Sequence, residues 1–191
     1  MKKILIIGAG AMGAAFTVPC LDNKHKVTLS EPYNFKLLKK ISLKKKFHPS
    51  LKSNLSKKLI IKNFSSELLK QKWDLIVIAV SSIGIDLVRE NLKNLKFNTR
   101  ILILTKGLKF DRNSKKIITM SEQLNKGNKK FDISVLKGPC LAKELARKIK
   151  SSTIIANKNI KKAKYIGNLI STKYYKIEYS NDVKGVEICS A

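Results

Sequence analysis

Short aliphatic runs alternate with longer segments of helical spacing from one end of the chain to the other. Residues 4–7, 26–29, 59–62, 75–79, 100–104, 133–136, 153–156 and 174–179 read as strands, being rich in Ile, Leu, Val and Tyr and bounded by polar or turn-forming residues. Between them, Val88/Leu92/Leu95, Ile117/Met120/Leu124, Leu141/Leu145/Ile149 and Ala163/Ile166/Ile170 repeat apolar positions at three- and four-residue steps, as helices with one face on a core do. Strand, helix, strand repeated in this way predicts the α/β class: a Rossmann-like, doubly wound, largely parallel sheet with helices on both faces. No repeat, low-complexity tract or linker divides the chain. Asn181-Asp182-Val183 has the look of a new helix opening on a capping residue.

Chemistry enters at the first turn. Gly8-Ala9-Gly10-Ala11-Met12-Gly13 directly follows the first strand and opens the first helix. Glycines at this spacing permit a tight turn, let a pyrophosphate approach the backbone, and allow the helix to pack closely on its strand. The helix N-terminus then offers unpaired N–H groups and partial positive charge to phosphates. Glu31 stands eighteen residues beyond Gly13, at the expected tip of the second strand. A carboxylate there accepts hydrogen bonds from an adenosine ribose and repels a 2′-phosphate, so the cofactor expected is NAD, with NADP as the alternative.

Three later stretches fall at the same edge of such a sheet. Residues 74–82, DLIVIAVSS, read as a buried central strand ending in small polar residues, with Val80 to Ile83 placed to wall the nicotinamide side. Thr105-Lys106-Gly107-Leu108 follows the fifth strand, and Lys137-Gly138-Pro139-Cys140-Leu141-Ala142-Lys143-Glu144 follows the sixth. A lysine in such a place can pair with a phosphate or polarise a carbonyl.

Composition changes this picture little. At 191 residues, 43% of them hydrophobic, the chain can bury one sizeable core. No apolar run approaches the about 18 residues that cross a bilayer, and a soluble protein is expected. The start, Met1-Lys2-Lys3 and then four aliphatic residues, imitates a secretory signal only as far as Gly8. Cys20, Cys140 and Cys189 are odd in number and far apart, which suits a reducing cytoplasm and neither a disulfide framework nor a metal site. The net charge of +27 raises nucleic acid as a partner, yet only four of the 40 basic residues are Arg and the lysines are spread evenly, with no recognition motif beside them. A solvated lysine-rich surface is the reading adopted, without a specific nucleic-acid partner.

Taken together, these pieces resemble one family, the NAD(P)-dependent glycerol-3-phosphate dehydrogenases of bacterial type. The similarity runs in order through GAGAMG at 8–13, Phe47-His48-Pro49, DLIVIAVSS at 74–82, TKGL at 105–108, GPCLAKELA at 138–146 and NDVKGVEICSA at 181–191. TKG followed by GPxxAKE is far more specific than the glycine motif. The resemblance implies reversible hydride transfer between NAD(P)H and the dihydroxyacetone phosphate/glycerol 3-phosphate pair, supplying the phospholipid backbone. It implies that Ala11 and Met12 line the dinucleotide beside Gly8, Gly10 and Gly13, that Lys106 touches cofactor and substrate, that Gly138 and Cys140 contact substrate, and that Ala142 contacts the cofactor. It also implies an NAD-binding domain over residues 1–180, with 181–191 the first turns of a helical substrate domain, and is compatible with a homodimer of the full-length protein.

The chain departs from the family in three places. Cys140 stands where Ser or Thr is usual, and a thiol is a weaker hydrogen-bonding partner. The second strand ends LSEP, shorter than the usual stretch. The family's proton-transferring lysine follows the GVExxxA segment, past Ala191, so no catalytic residue is expected within these residues, and the chain alone is expected to bind dinucleotide without turning substrate over. Two other readings compete: another two-domain dehydrogenase of the ketopantoate reductase or 3-hydroxyacid type, expected to lack TKG with GPxxAKE, and a basic non-catalytic nucleotide- or nucleic-acid-binding protein.

Overall fold

All eight aliphatic runs form strands, and they lie in one sheet. The computed structural model describes residues 1–93, 95, 97–127 and 131–191. In chain order the elements are β1 (Lys3–Ile7), α1 (Ala11–Asp22), β2 (Lys26–Glu31), α2 (Phe35–Leu43), β3 (Phe47–His48), β4 (Ser53–Asn54), β5 (Ile60–Asn63), α3 (Ser66–Leu69) and β6 (Leu75–Ile78). A single 3-10 turn, Ser82–Gly84, leads into α4 (Ile85–Leu92), followed by β7 (Arg100–Ile103), β8 (Leu108–Asp111), β9 (Lys116–Thr119), α5 (Met120–Leu124), β10 (Ile133–Lys137), α6 (Ala142–Ala146), β11 (Ser151–Ala156), α7 (Ile160–Ile170), β12 (Tyr175–Ser180) and α8 (Val183–Ile188).

The sheet order is β12-β11-β10-β7-β6-β1-β2-β5. From β5 to β10 every pairing is parallel, while β11 runs antiparallel to β10 and β12 parallel to β11. The order reverses at β1, between β2 and β6, so the carboxyl ends of β1 and β6 flank the crevice in which ligands of such sheets bind. Because side chains alternate across a strand, Ile4 and Ile6 enter one apolar cluster and Leu5 and Ile7 the other. The first cluster is covered by α1, α2, α6 and α7, through residues such as Phe16, Ile41, Leu145 and Ile166. The second is covered by α3, α4 and α5, through Leu69, Val88 and Leu124. Helices therefore pack on both faces, as the patterning predicts.

The differences from the sequence reading are local. Ile117, expected to begin a helix with Met120 and Leu124, lies in β9 opposite Phe110. The helix starts later because Thr119 and Glu122 form a reciprocal capping box that fixes its first turn. Ile149 falls outside α6 because the backbone turns left-handed at Lys148, with φ 58. Two small hairpins, β3–β4 and β8–β9, were not expected at all. The helix expected after Asn181 forms as α8, with Asp182 Oδ1 accepting from Gly185 N at 2.8 Å. Its Glu187, 2% exposed, accepts from both the backbone N–H and the hydroxyl of Ser121, pinning α8 to the start of α5. Among the described residues no helix is long and apolar enough to cross a membrane.

Candidate functional site

The three glycines of the first turn have three different surroundings. Gly8 has φ 111, and a Cβ there would meet the Ala79 carbonyl carbon and oxygen at 2.6 Å, so only glycine lets β1 turn beside the end of β6. A Cβ on Gly13 would meet the Gly8 carbonyl oxygen at 1.9 Å, which is the close packing of helix on strand. A Cβ on Gly10 would meet nothing within 4 Å. Gly10 is the N-cap of α1, and that helix has neither a capping side chain nor an acid in its first turn. A helix opened this way has no side-chain cap for its leading N–H groups, the arrangement that accepts a phosphate.

The turn is braced on both sides of Ala9. Glu31 Oε2 accepts from Ala9 N at 2.6 Å, while Oε1 accepts from Tyr33 N at 3.0 Å and Asn34 N at 3.2 Å. Glu31 thus sits at the end of β2, where a ribose acid is expected, but it is 6% exposed and three backbone donors already occupy it. A carboxylate offers about four acceptor positions, which leaves about one for a hydroxyl. On the other side His48, fully buried, hydrogen-bonds the Ala9 carbonyl through Nε2 at 2.9 Å and accepts from Leu51 N through Nδ1 at 3.3 Å. Nδ1 is therefore the acceptor and Nε2 carries the proton. His25, at the other end of β2, bonds the Leu169 carbonyl and Lys2 N and has no part in this edge.

Beside the turn lies a cavity of about 220 Å³. Met12, Ala79, Val80, Leu104 and Leu136 give it apolar walls, and Lys106, Lys137, Gly138, Cys140 and Tyr175 the polar ones. Thr105 ties its floor together: the hydroxyl donates to the Val80 carbonyl at 2.7 Å, and the Thr105 carbonyl accepts from Lys137 Nζ. Thr153 Oγ1 donates to the Lys137 carbonyl at 2.6 Å, and Gly138, φ 146, passes so close that a Cβ would lie 3.2 Å from Thr153 Cα. Lys137 is 3% exposed. Burial pushes its pKa down to about 8, the Glu187 carboxylate opposing this and the Lys106 ammonium adding to it. Cys140 Sγ lies 3.6 Å from Ser151 Oγ, and burial raises the thiol above its ordinary range. The Tyr175 hydroxyl is buried without a hydrogen-bond partner among the described residues.

Met12, Lys106, Gly138 and Cys140 are brought together on this cavity, next to Gly8, Gly10, Ala11 and Gly13. Ala142 is not: it is half-buried against the α1 side of the core. Val80 lines the cavity, whereas Ile83 is 90% exposed. The sequence offers His48 only as part of the Phe47-His48-Pro49 segment, and no separate role for Lys137 or Tyr175. A lysine closing a buried strand, as Lys137 closes Ile133–Lys137, is the signal that the sequence offers. Among the described residues no group of three His, Cys, Asp or Glu is placed to hold a metal.

A parallel sheet that reverses at β1, with an uncapped helix N-terminus and an open glycine at the reversal, defines a dinucleotide-binding domain of the dehydrogenase class. Residues 3–163 match the family described as NAD-dependent glycerol-3-phosphate dehydrogenase N-terminus, and the chain belongs to that family. It is 27% identical to the NADP(+)-dependent glycerol-3-phosphate dehydrogenase of Archaeoglobus fulgidus, over 98% of this chain and 56% of that protein. It is also 27% identical to the glycerol-3-phosphate dehydrogenase [NAD(P)+] of Clostridium botulinum, over 100% of this chain and 56% of that protein. The crystal structure of glycerol-3-phosphate dehydrogenase from Coxiella burnetii superposes with a TM-score of 0.84 at 22% identity, over 99% of this chain and 57% of that one, a likeness of fold. The chain thus spans about half the length of the curated relatives it matches.

Proposed function

We propose that this chain is the cofactor-binding part of a glycerol-3-phosphate dehydrogenase, which transfers a hydride reversibly between NAD(P)H and the dihydroxyacetone phosphate/glycerol 3-phosphate pair in the cytoplasm. The observation that carries the reading is that Met12, in the first turn of the helix that Gly10 caps, lines the same cavity as Lys106, Gly138 and Cys140. Bound there, the nicotinamide supplies or accepts the hydride. Gly8, Gly10, Ala11, Met12 and Gly13 hold the dinucleotide at the α1 N-terminus, and Lys106 meets both cofactor and substrate. Gly138 and Cys140 contact substrate, the thiol contributing a weak hydrogen bond. Ala142, the first residue of α6, contacts the cofactor outside the cavity. Residues 181–191 as the opening of a helical substrate domain, and a homodimer of the longer protein, belong to the same proposal.

Glu31 enters as a fixed negative charge at the tip of β2. Its braced carboxylate disfavours a 2′-phosphate beside it, so NADH is expected to bind more tightly than NADPH. Fluorescence titration of the chain with both nucleotides tests the reading. Saturable NADH binding that is weaker for NADPH supports it, absence of NADH binding refutes it, and equal affinities refute the role given to Glu31.

A further inference from the structure

We propose that Lys137 is an anion ligand of this site, pairing with Lys106 to hold the oxyanion of a small phosphorylated substrate at the inner wall of the cavity. The inference rests on the function proposed above and extends it to a residue with no role there. Lys137 closes β10, is 3% exposed, and lines the same cavity as Lys106. An ammonium carries three donors, and among the described residues Lys137 has one hydrogen-bond partner, the Thr105 carbonyl. No carboxylate lies within ion-pair distance of it among the described residues. Burying a cation without a counter-ion is costly, and a purely structural tie to Thr105 needs no charge. The charge is therefore placed for a ligand, and the apolar walls strengthen its attraction for an anion.

The charged groups facing Lys137 are Glu187 from α8 and Lys106 from the turn after β7, with Cys140 and Tyr175 on the cavity wall. Glu187 is held by the backbone N–H and hydroxyl of Ser121 and is not within ion-pair distance of Lys137, so its charge offsets that of Lys137 only in part. A second ammonium beside Lys106 raises the positive potential where a phosphate would enter, and burial lets Lys137 lose its proton near pH 8. Anion binding through it should then weaken at alkaline pH, whereas the phosphate itself stays dianionic above about pH 7.

The test is calorimetric titration of the chain with dihydroxyacetone phosphate at saturating NADH, and with inorganic phosphate alone. Wild type, Lys137→Met and Lys137→Arg are compared at about pH 7.5 and about pH 9.5. Loss of one charge-assisted contact predicts about 10- to 100-fold weaker binding of both anions to Lys137→Met at the lower pH. NADH affinity is expected to stay within about twofold. Wild type is expected to lose anion affinity at the higher pH, and Lys137→Arg to lose much less, because a guanidinium stays charged. Unchanged anion binding by Lys137→Met, or an equal pH dependence in wild type and Lys137→Arg, overturns the inference. If Lys137→Met does not fold, the second comparison decides alone. Failure of NADH binding would refute the proposed function, while the inorganic phosphate arm, run without cofactor, still decides the role of Lys137.

Discussion

Gly10 and Gly13 are three residues apart in one turn, yet replacing each with alanine should break different things. At Gly10 the backbone has φ −62 and ψ 178, an extended conformation any residue adopts, and an added Cβ meets no atom within 4 Å. Alanine is a poorer N-cap than glycine but restricts the unfolded chain more, and these effects are each about 0.5–1 kcal/mol and opposite in sign. Gly10→Ala should therefore fold with a stability within about 1 kcal/mol of wild type. Its methyl group instead occupies the space a pyrophosphate must enter, an overpacking of about 1–3 kcal/mol charged wholly to the complex. That corresponds to about 5- to 150-fold weaker NADH binding. Gly13→Ala reverses the outcome. Helix propensity gains about 1 kcal/mol, but the Cβ would sit 1.9 Å from the Gly8 carbonyl oxygen, so α1 must move off β1. A net loss of about 1–3 kcal/mol is expected, or about 2–12 °C in Tm for a chain of this size. Urea denaturation and NADH fluorescence titration on both variants read the two effects separately. If Gly10→Ala binds NADH as wild type does, or Gly13→Ala is as stable as wild type, the division of labour within the turn is wrong.

Two further outcomes follow from the buried polar groups around the site. His48→Ala leaves the Ala9 carbonyl and Leu51 N–H without their partner and opens a buried space. Loss of about 1–3 kcal/mol in urea denaturation is expected, with weaker NADH binding, while His48→Gln, which can still donate to Ala9, should recover part of both; equal losses in the two variants would argue against the bond. Lys137 has its folded pKa lowered from 10.5 to about 8, so between those values the unfolded chain holds a proton that the folded chain has released. Wild-type stability should therefore rise from about pH 8 to about pH 10.5 relative to Lys137→Met, by a few kcal/mol at most, and a flat difference across that window in pH-dependent denaturation would refute the buried charge.

Much of the site was legible in the chain because its determinants are local. An aliphatic run followed by glycines at fixed offsets marks a strand, a tight turn and a close-packed helix, and GAGAMG shows this pattern in the sequence, although the approach of Ala79 to Gly8 is set by the neighbouring strand. The same holds for the central strands β1, β6 and β7, since a buried parallel strand must be apolar on both faces and its run is visible without knowing its neighbours. Boundaries were less legible. Lys148 and the capping box at Thr119 ended or started helices at points that apolar spacing alone does not mark.

What tertiary structure alone decided is which polar groups face one another. Glu31 is the acid the spacing points to, but its three backbone partners come from how the end of β2 lies against the glycine turn, and they make it a brace for that turn. His48 reaches the Ala9 carbonyl across 39 residues, and Lys137 reaches Thr105 across 32. Neither pairing has a sequence signature, because a hydrogen bond or a desolvated charge depends on sheet order and on what excludes water, and the chain in isolation records neither. The sequence determined where a dinucleotide can bind; the packing of β2, β7 and β10 around that turn decided which side chains hold it rigid and which cation is left facing the cavity.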